Sequence, residues 1–162
     1  MKSKIKIFLL IVVFFFLNFS PIHSIEGFNF EVTEIEIIEN GNKFLGKNRG
    51  KITTENKVLI EADNFTYNKS TNILKLNGNV IINDINRNLK IYSEESTYFK
   101  NKEIFIFKKD SKLINDKIII VSDEMEYNKL LNSFSANGDV EINDIENVLS
   151  NTPLFSSLTS SF

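Results

Sequence analysis

The chain has no cysteine and no tryptophan, and its single histidine is His23, near the N-terminus. Without cysteine, no disulfide staples the domain. With neither His nor Cys after residue 24, Ser–His and Cys–His nucleophile pairs and the usual zinc sites are excluded from the body of the chain. Glycine is sparse, with six residues. Gly41, Gly46, Gly50, Gly78 and Gly138 stand singly as turn residues, so no glycine-rich phosphate loop is present. No segment after residue 24 carries the 3.6-residue periodicity of an amphipathic helix. A basic face for nucleic acid is also lacking, since the 162-residue chain has 19 basic and 21 acidic residues.

The first 24 residues read as an export signal. Lys2, Lys4 and Lys6 precede an unbroken apolar run, Ile7 to Leu17, and Asn18, Ser20, Pro21 and His23 end it. The run is shorter than the ~18–20 apolar residues of a membrane-spanning helix. A signal helix cleaved after Ser24 is expected; a retained anchor is the alternative. Without its three lysines, the remainder keeps 16 basic residues against 21 acidic, a net charge of about −5. Residues 25–144 form one domain. Residues 145–162, crowded with Ser150, Ser156, Ser157, Ser160 and Ser161, read as an irregular or truncated tail.

What is abundant is a repeat. Glu61-Ala62-Asp63-Asn64-Phe65-Thr66-Tyr67-Asn68-Lys69 runs on to Asn77-Gly78-Asn79-Val80-Ile81-Ile82-Asn83-Asp84. The pattern returns as Val121-Ser122-Asp123-Glu124-Met125-Glu126-Tyr127-Asn128-Lys129 and Asn137-Gly138-Asp139-Val140-Glu141-Ile142-Asn143-Asp144. A weaker copy, Tyr92 to Lys100, lies between them, and a degenerate first copy covers residues 33–56, with Gly46 and Gly50 replacing Gly78. A period near 30 residues means one supersecondary unit stacked on itself.

Within the repeat, apolar and polar residues alternate as in strands with one buried face. Phe28–Val32, Thr33–Ile37, Lys57–Ala62, Leu89–Tyr92 and Glu103–Phe107 are expected strands. Asn40-Gly41 marks a hairpin. Ile73–Leu76, Asn77-Gly78-Asn79 and Val80–Ile82 read as strand, turn, strand, and Ser133–Ala136, Asn137-Gly138-Asp139 and Val140–Ile142 read likewise. Each repeat is therefore expected to hold about three strands. Lys117–Val121 is a fuller apolar run, covered on both faces.

Asp63, Glu94 and Asp123 hold matching places before Tyr67, Tyr98 and Tyr127. As chemistry they would be metal ligands or acid–base groups. As structure they are corner residues accepting backbone N–H bonds, which fits a threefold repetition better. The tyrosines could meet sugars or lipid head groups, or form a core edge with one wet end. One set of side chains alternates with polar neighbours throughout: Leu74, Leu76, Val80, Ile82, Leu89, Ile91, Ile118, Ile120, Phe134, Ala136, Val140 and Ile142. These form a closed core, or they line an interior left partly open as an apolar trough. A trough would be worth having. Burying a dozen acyl carbons at ~0.8 kcal/mol per methylene yields about 10 kcal/mol.

Glu61-Ala62-Asp63 with Phe65, Tyr67 and Leu76-Asn77-Gly78-Asn79-Val80 resembles the repeat of the organic-solvent-tolerance, or OstA-like, family. Ser122-Asp123, Tyr127 and Phe134-Ser135-Ala136-Asn137-Gly138-Asp139-Val140 match it again, and Phe30–Glu36 resembles the start of the module. The family includes LptA, the periplasmic domain of LptC and the N-terminal domain of LptD. The resemblance, over residues 28–144, implies an all-β stacked antiparallel β-jelly-roll or β-taco. It implies a periplasmic module, associated with the outer membrane, that shields the lipid A acyl chains of lipopolysaccharide in a hydrophobic groove. The groove residues would be Leu74, Leu76, Val80, Ile82, Ile91, Ile118, Ile120, Phe134, Ala136, Val140 and Ile142. Partners would be sister β-jelly-roll domains joined by edge-strand pairing, or further copies head to tail. No catalytic residue, cofactor or metal comes with the family. A truncated N-terminal domain of an LptD-type protein, an LptC-like domain and a non-catalytic structural or adhesive β-solenoid are the alternatives.

Overall fold

The computed structural model describes residues 27–144; the expected signal helix and the tail lie outside these residues. Ten strands form one antiparallel sheet: β1 Phe28–Ile38, β2 Lys43–Thr54, β3 Val58–Ala62, β4 Asn64–Asn68, β5 Ile73–Asp84, β6 Leu89–Phe99, β7 Ile104–Ile114, β8 Ile118–Asn128, β9 Ser133–Asn137 and β10 Glu141–Asp144. No α-helix occurs among the described residues. The path is a meander in which each crossing of the sheet pairs with the next. β3 and β4 together make one crossing between β2 and β5, and β9 and β10 together make another beside β8.

Each crossing is folded at its middle, so the sheet doubles into two facing layers. The bends come in two alternating kinds. In one kind, two successive residues adopt positive φ: Asn48-Arg49, Gly78-Asn79, Lys109-Asp110 and Gly138-Asp139. These are bulges, placed where the register shifts between Asn77 and Val80 and between Lys108 and Ser111. In the other kind a single acidic residue sits at the bend: Asp63, Glu94 or Asp123. The repeat near 30 residues is thus two crossings, one of each kind.

This corrects the reading of about three short strands per repeat. β5 runs unbroken through Asn77-Gly78-Asn79. These residues bend the strand at the crease and do not reverse it, because both halves of β5 pair with β6. The reversals lie at the two lips of the folded sheet. One lip carries the turns at 39–42, 69–72, 100–103 and 129–132; the other carries those at 55–57, 85–88 and 115–117.

Close approach at the crease explains the small residues there. Gly50, Ala62, Ser93, Ser96, Ser111 and Ser122 are all buried. The Ser93 and Ser122 hydroxyls donate across the bend to the carbonyls of Glu95 and Glu124, at 3.0 and 2.8 Å. Gly78 and Gly138 combine positive φ with contact against Asp63 and Asp123, whose Cβ atoms would lie 3.0 and 2.9 Å from an added methyl. Any side chain at these positions would be strained and crowded together.

Lys117–Val121 differs from its expected two-sided cover. Ile118, Ile119, Ile120 and Val121 are only partly buried, because β8 lies next to the last strand of the stack.

Gly46 provides a test of the packed crease. Its added Cβ would stand 2.0 Å from Cε1 of Phe65, inside the ring's own space. Gly46→Ala is expected to cost about 1–3 kcal/mol, as overpacking does. Thermal unfolding should show a lowered midpoint, partly restored in Gly46→Ala/Phe65→Leu. An unchanged midpoint would contradict this packing.

Candidate ligand slot between the sheet layers

Strand alternation sends one face of each layer inward. The first layer holds β4, β9 and the adjoining halves of the long strands. Nearest its lip, cross-strand register aligns Ile37, Phe44, Tyr67, Leu74, Tyr98, Phe105, Tyr127 and Phe134 in one row. We call it the tyrosine layer. The facing layer, with β3 and β10, aligns Phe30, Ile52, Ile60, Ile82, Ile91, Leu113, Ile120 and Ile142. We call it the isoleucine layer. Aromatic neighbours within the first row lie at stacking distance: Tyr98 and Phe105 at 4.1 Å, Tyr127 and Phe134 at 4.5 Å between centroids.

The proposed groove residues all fall on these inward faces, divided by depth. Leu74, Leu76, Val80, Ile82 and Ile91 are buried. Ile118, Ile120, Phe134 and Ala136 are partly exposed, while Val140 and Ile142 are 47% and 63% exposed. The expected trough is therefore not an open channel along its length. Its middle is filled by the protein's own side chains, with Ile60, Leu74, Ile82, Ile91, Phe105 and Tyr127 at 0% exposure. The exposed members of the set lie toward its end.

A stagger between the layers produces this pattern. Phe28, on β1 in the isoleucine layer, packs edge-on against Tyr67 of β4 at 4.9 Å and Tyr98 of β6 at 6.1 Å. Phe30 stacks on Phe65 at 5.2 Å. Asp84, ending β5 in the isoleucine layer, accepts a bond from the Tyr127 hydroxyl of β8 at 3.2 Å. Each strand of the isoleucine layer thus faces strands about three places later in the tyrosine layer. At the β1 end the tyrosine layer is left uncovered, exposing Ile35 and Ile37. At the β10 end the isoleucine layer is left uncovered, exposing Val140 and Ile142.

The mouth, where the two lips meet, is lined by groups that the sequence reading passed over. Lys69, Lys100 and Lys129 each follow a tyrosine by two residues. Their backbone N–H groups donate to Asn42, Asn72 and Glu103 of the preceding turns at 2.8, 3.0 and 2.9 Å. Their ammonium groups lie over the rings of Phe44, Phe28 and Tyr98 at 4.8, 5.5 and 5.8 Å. Lys129 is also paired with Glu103 and buried. Asp84 and Arg87 were missed as well. The recurrence of Asn83-Asp84 at Asn143-Asp144 was their only sequence signal, and it resembles an ordinary turn.

The corner acid Asp63 has a structural role. The Asp63 carboxylate accepts from Asn79 Nδ2 at 2.7 Å and from Arg49 Nη1 at 3.1 Å. The Asn79 bond, then Arg49, hold its carboxyl below the ordinary value. Its backbone N–H donates to Gly78. At Asp63 the partners thus differ from the expected backbone donors: side chains bind the carboxylate. No cluster of His, Cys, Asp or Glu able to hold a metal occurs among the described residues.

The tyrosines are core-edge residues. Tyr67, Tyr98 and Tyr127 are 2%, 1% and 0% exposed, and the Tyr67 hydroxyl donates to Asn72 at 3.0 Å. Burial, and then the Glu103 carboxylate, push the Tyr98 phenol up from its ordinary value of 10.0. Burial and then Asp84 raise Tyr127. The sign of the pH effect follows. Above pH ~10 the unfolded chain releases protons that the folded chain keeps, so stability falls as pH rises. It is fully present below pH ~10. Each tyrosine contributes a slope of up to about 1.4 kcal/mol per pH unit. Thermal midpoints measured from neutral to alkaline pH should fall less steeply in Tyr98→Phe/Tyr127→Phe than in the unaltered protein. Parallel curves would contradict the assignment.

The family profile described as OstA-like protein matches residues 29–161. No curated protein sequence matches the chain. Among solved structures, the chain is similar to LptH from Pseudomonas aeruginosa, described as the LptA homologous periplasmic component of the conserved lipopolysaccharide transport device. That match has a TM-score of 0.66 at 10% identity, covering 73% of this chain and 94% of LptH. At this identity the likeness establishes the β-jelly-roll fold.

Proposed function

The chain belongs to the OstA-like protein family, and from that membership we propose that it is a periplasmic lipopolysaccharide-transport module holding acyl chains between its sheet layers. The family is a non-catalytic scaffold, and the chain is not an enzyme. The observation that carries the proposal is the apolar interior. It runs through every crossing of the stack and reaches the surface at both ends, on Ile35 and Ile37 at one and on Val140 and Ile142 at the other. A compact core would have been capped at its ends by polar residues. The periplasmic role of LptH and the expected export signal in residues 1–24 support the same reading.

The stagger also suits the expected partners. The exposed shelf belongs to the tyrosine layer at one end and to the isoleucine layer at the other. A sister jelly-roll domain or a second copy, added head to tail by strand pairing, would continue both layers and cover both shelves. In this reading the module bridges toward the outer membrane, and the interior is continuous from one domain to the next.

Photo-crosslinking residues test the lipid reading. Placed at Ile142 or Phe134, they should capture lipopolysaccharide. Placed at Lys75, on the outward face of β5, they should capture little. Capture confined to Lys75, or none at any inward position, would contradict the slot.

A further inference from the structure

A cavity of about 590 Å³ opens at the mouth between the lips, lined by Asn56, Asn86, Arg87, Glu103, Lys129 and Leu130. Beside it a carboxylate stands where the row calls for a hydrocarbon. Register places Asp84 between Val58 and Leu89 on the inward face of the isoleucine layer, and it is 1% exposed. A carboxylate in such a place is costly unless paired. Two groups meet its Oδ2: Arg87 Nη1 donates at 2.7 Å, and the Tyr127 hydroxyl donates at 3.2 Å. Arg87 Nη2 continues to the carbonyl of Lys129 at 3.2 Å.

These bonds run across the mouth. Asp84 and Arg87 belong to the β5–β6 end of the isoleucine layer. Tyr127 and Lys129 belong to the end of β8 in the tyrosine layer. β5 and β8 are not neighbours in the sheet, since β6 and β7 lie between them. No ladder bond therefore holds these two positions together, and the polar cluster does so directly. Farther along, toward β1, the mouth is closed by apolar contact of Phe28 with Tyr67 and Tyr98.

We propose that Asp84, Arg87 and Tyr127 form a latch that holds the two layers closed, and that its release admits an acyl chain between them. The latch stands on this geometry; its gating role rests on the lipid reading above. Charge-assisted hydrogen bonds are directional and are lost on small displacement, so the latch favours two discrete states, shut and open. The closed state also carries a standing penalty. Asp84 Oδ1 is sealed from solvent and has no hydrogen-bond partner among the described residues. Opening exposes that oxygen to water and removes the penalty. The bulges at the crease supply the bend about which the layers separate.

The chain has no cysteine, so a spin-label pair at Asn56→Cys and Leu130→Cys reports the mouth alone. In lipid-free protein the labels should give one short distance. Tyr127→Phe keeps the ring and its stack on Phe134, and Arg87→Gln keeps much of the side-chain length. Each should raise the longer-distance population about tenfold, the loss expected for a hydrogen bond to a charged group, with unchanged far-ultraviolet dichroism. Wild-type distances in both folded variants would overturn the latch. Should Arg87→Gln fail to fold, the Tyr127→Phe distances decide by themselves. A second readout separates latch from lipid. Open variants carrying a photo-crosslinker at Phe134 should capture lipopolysaccharide faster than the closed protein. Longer distances without faster capture would overturn the gating role, while capture by the unaltered protein continues to judge the lipid reading independently.

Discussion

The structure depends on how its strands bend. An antiparallel meander of this length would be an open sheet with one wet face and one apolar face, and no partner for the second. Pairs of residues with positive φ, at Asn48-Arg49, Gly78-Asn79, Lys109-Asp110 and Gly138-Asp139, fold the sheet at its midline. The apolar face then covers itself. The crease brings backbones together, which dictates the small residues Gly46, Gly50, Ala62, Ser93 and Ser111 near the bend. Away from the crease the layers diverge, and larger side chains fill the widening space up to Tyr67, Tyr98 and Tyr127. The gradient from serine to tyrosine is the cross-section of a wedge.

The stagger between layers has functional weight. If the layers faced each other in register, both ends would close at the same crossing. Because they are offset, each end of the wedge presents one layer without its cover. The fold thus has a filled centre and two open apolar ends, formed by the same interior rows. On the proposed reading, a guest chain lodged between the layers reaches Ile37 or Ile142 at the ends, and it is accommodated in the middle only by displacing protein side chains. An interior of this kind is adjustable rather than hollow, and closure at the mouth becomes the controlling contact.

Much of this was legible in the sequence. Strict alternation placed Leu74, Leu76, Val80, Ile82, Ile91, Ile120, Phe134 and Ile142 on one face, because the two-residue period of a strand survives a bulge that restores the parity. The repeat of Tyr67, Tyr98 and Tyr127 revealed the stack. Asn77-Gly78-Asn79 reads as a turn between two strands, since a bend and a reversal both need positive φ; what separates them is pairing with β6 on both sides, which is not local. Lys109-Asp110 bends the chain with no glycine to announce it. The filling of the interior was hidden for a related reason. Phe28 reaches Tyr67 and Tyr98 only because of the stagger, and Asp84 meets Tyr127 across 43 residues of sequence. Each residue looked ordinary in its own segment.

The central claim is that the space between the layers receives acyl chains. Native mass spectrometry of the purified protein, offered lipopolysaccharide and then separated from free lipid, tests it most directly. The account predicts a discrete lipopolysaccharide adduct that is lost when bulky polar groups replace Phe134 and Ile142. A spectrum of bare protein after saturating exposure, or an adduct indifferent to those inward positions, would contradict it.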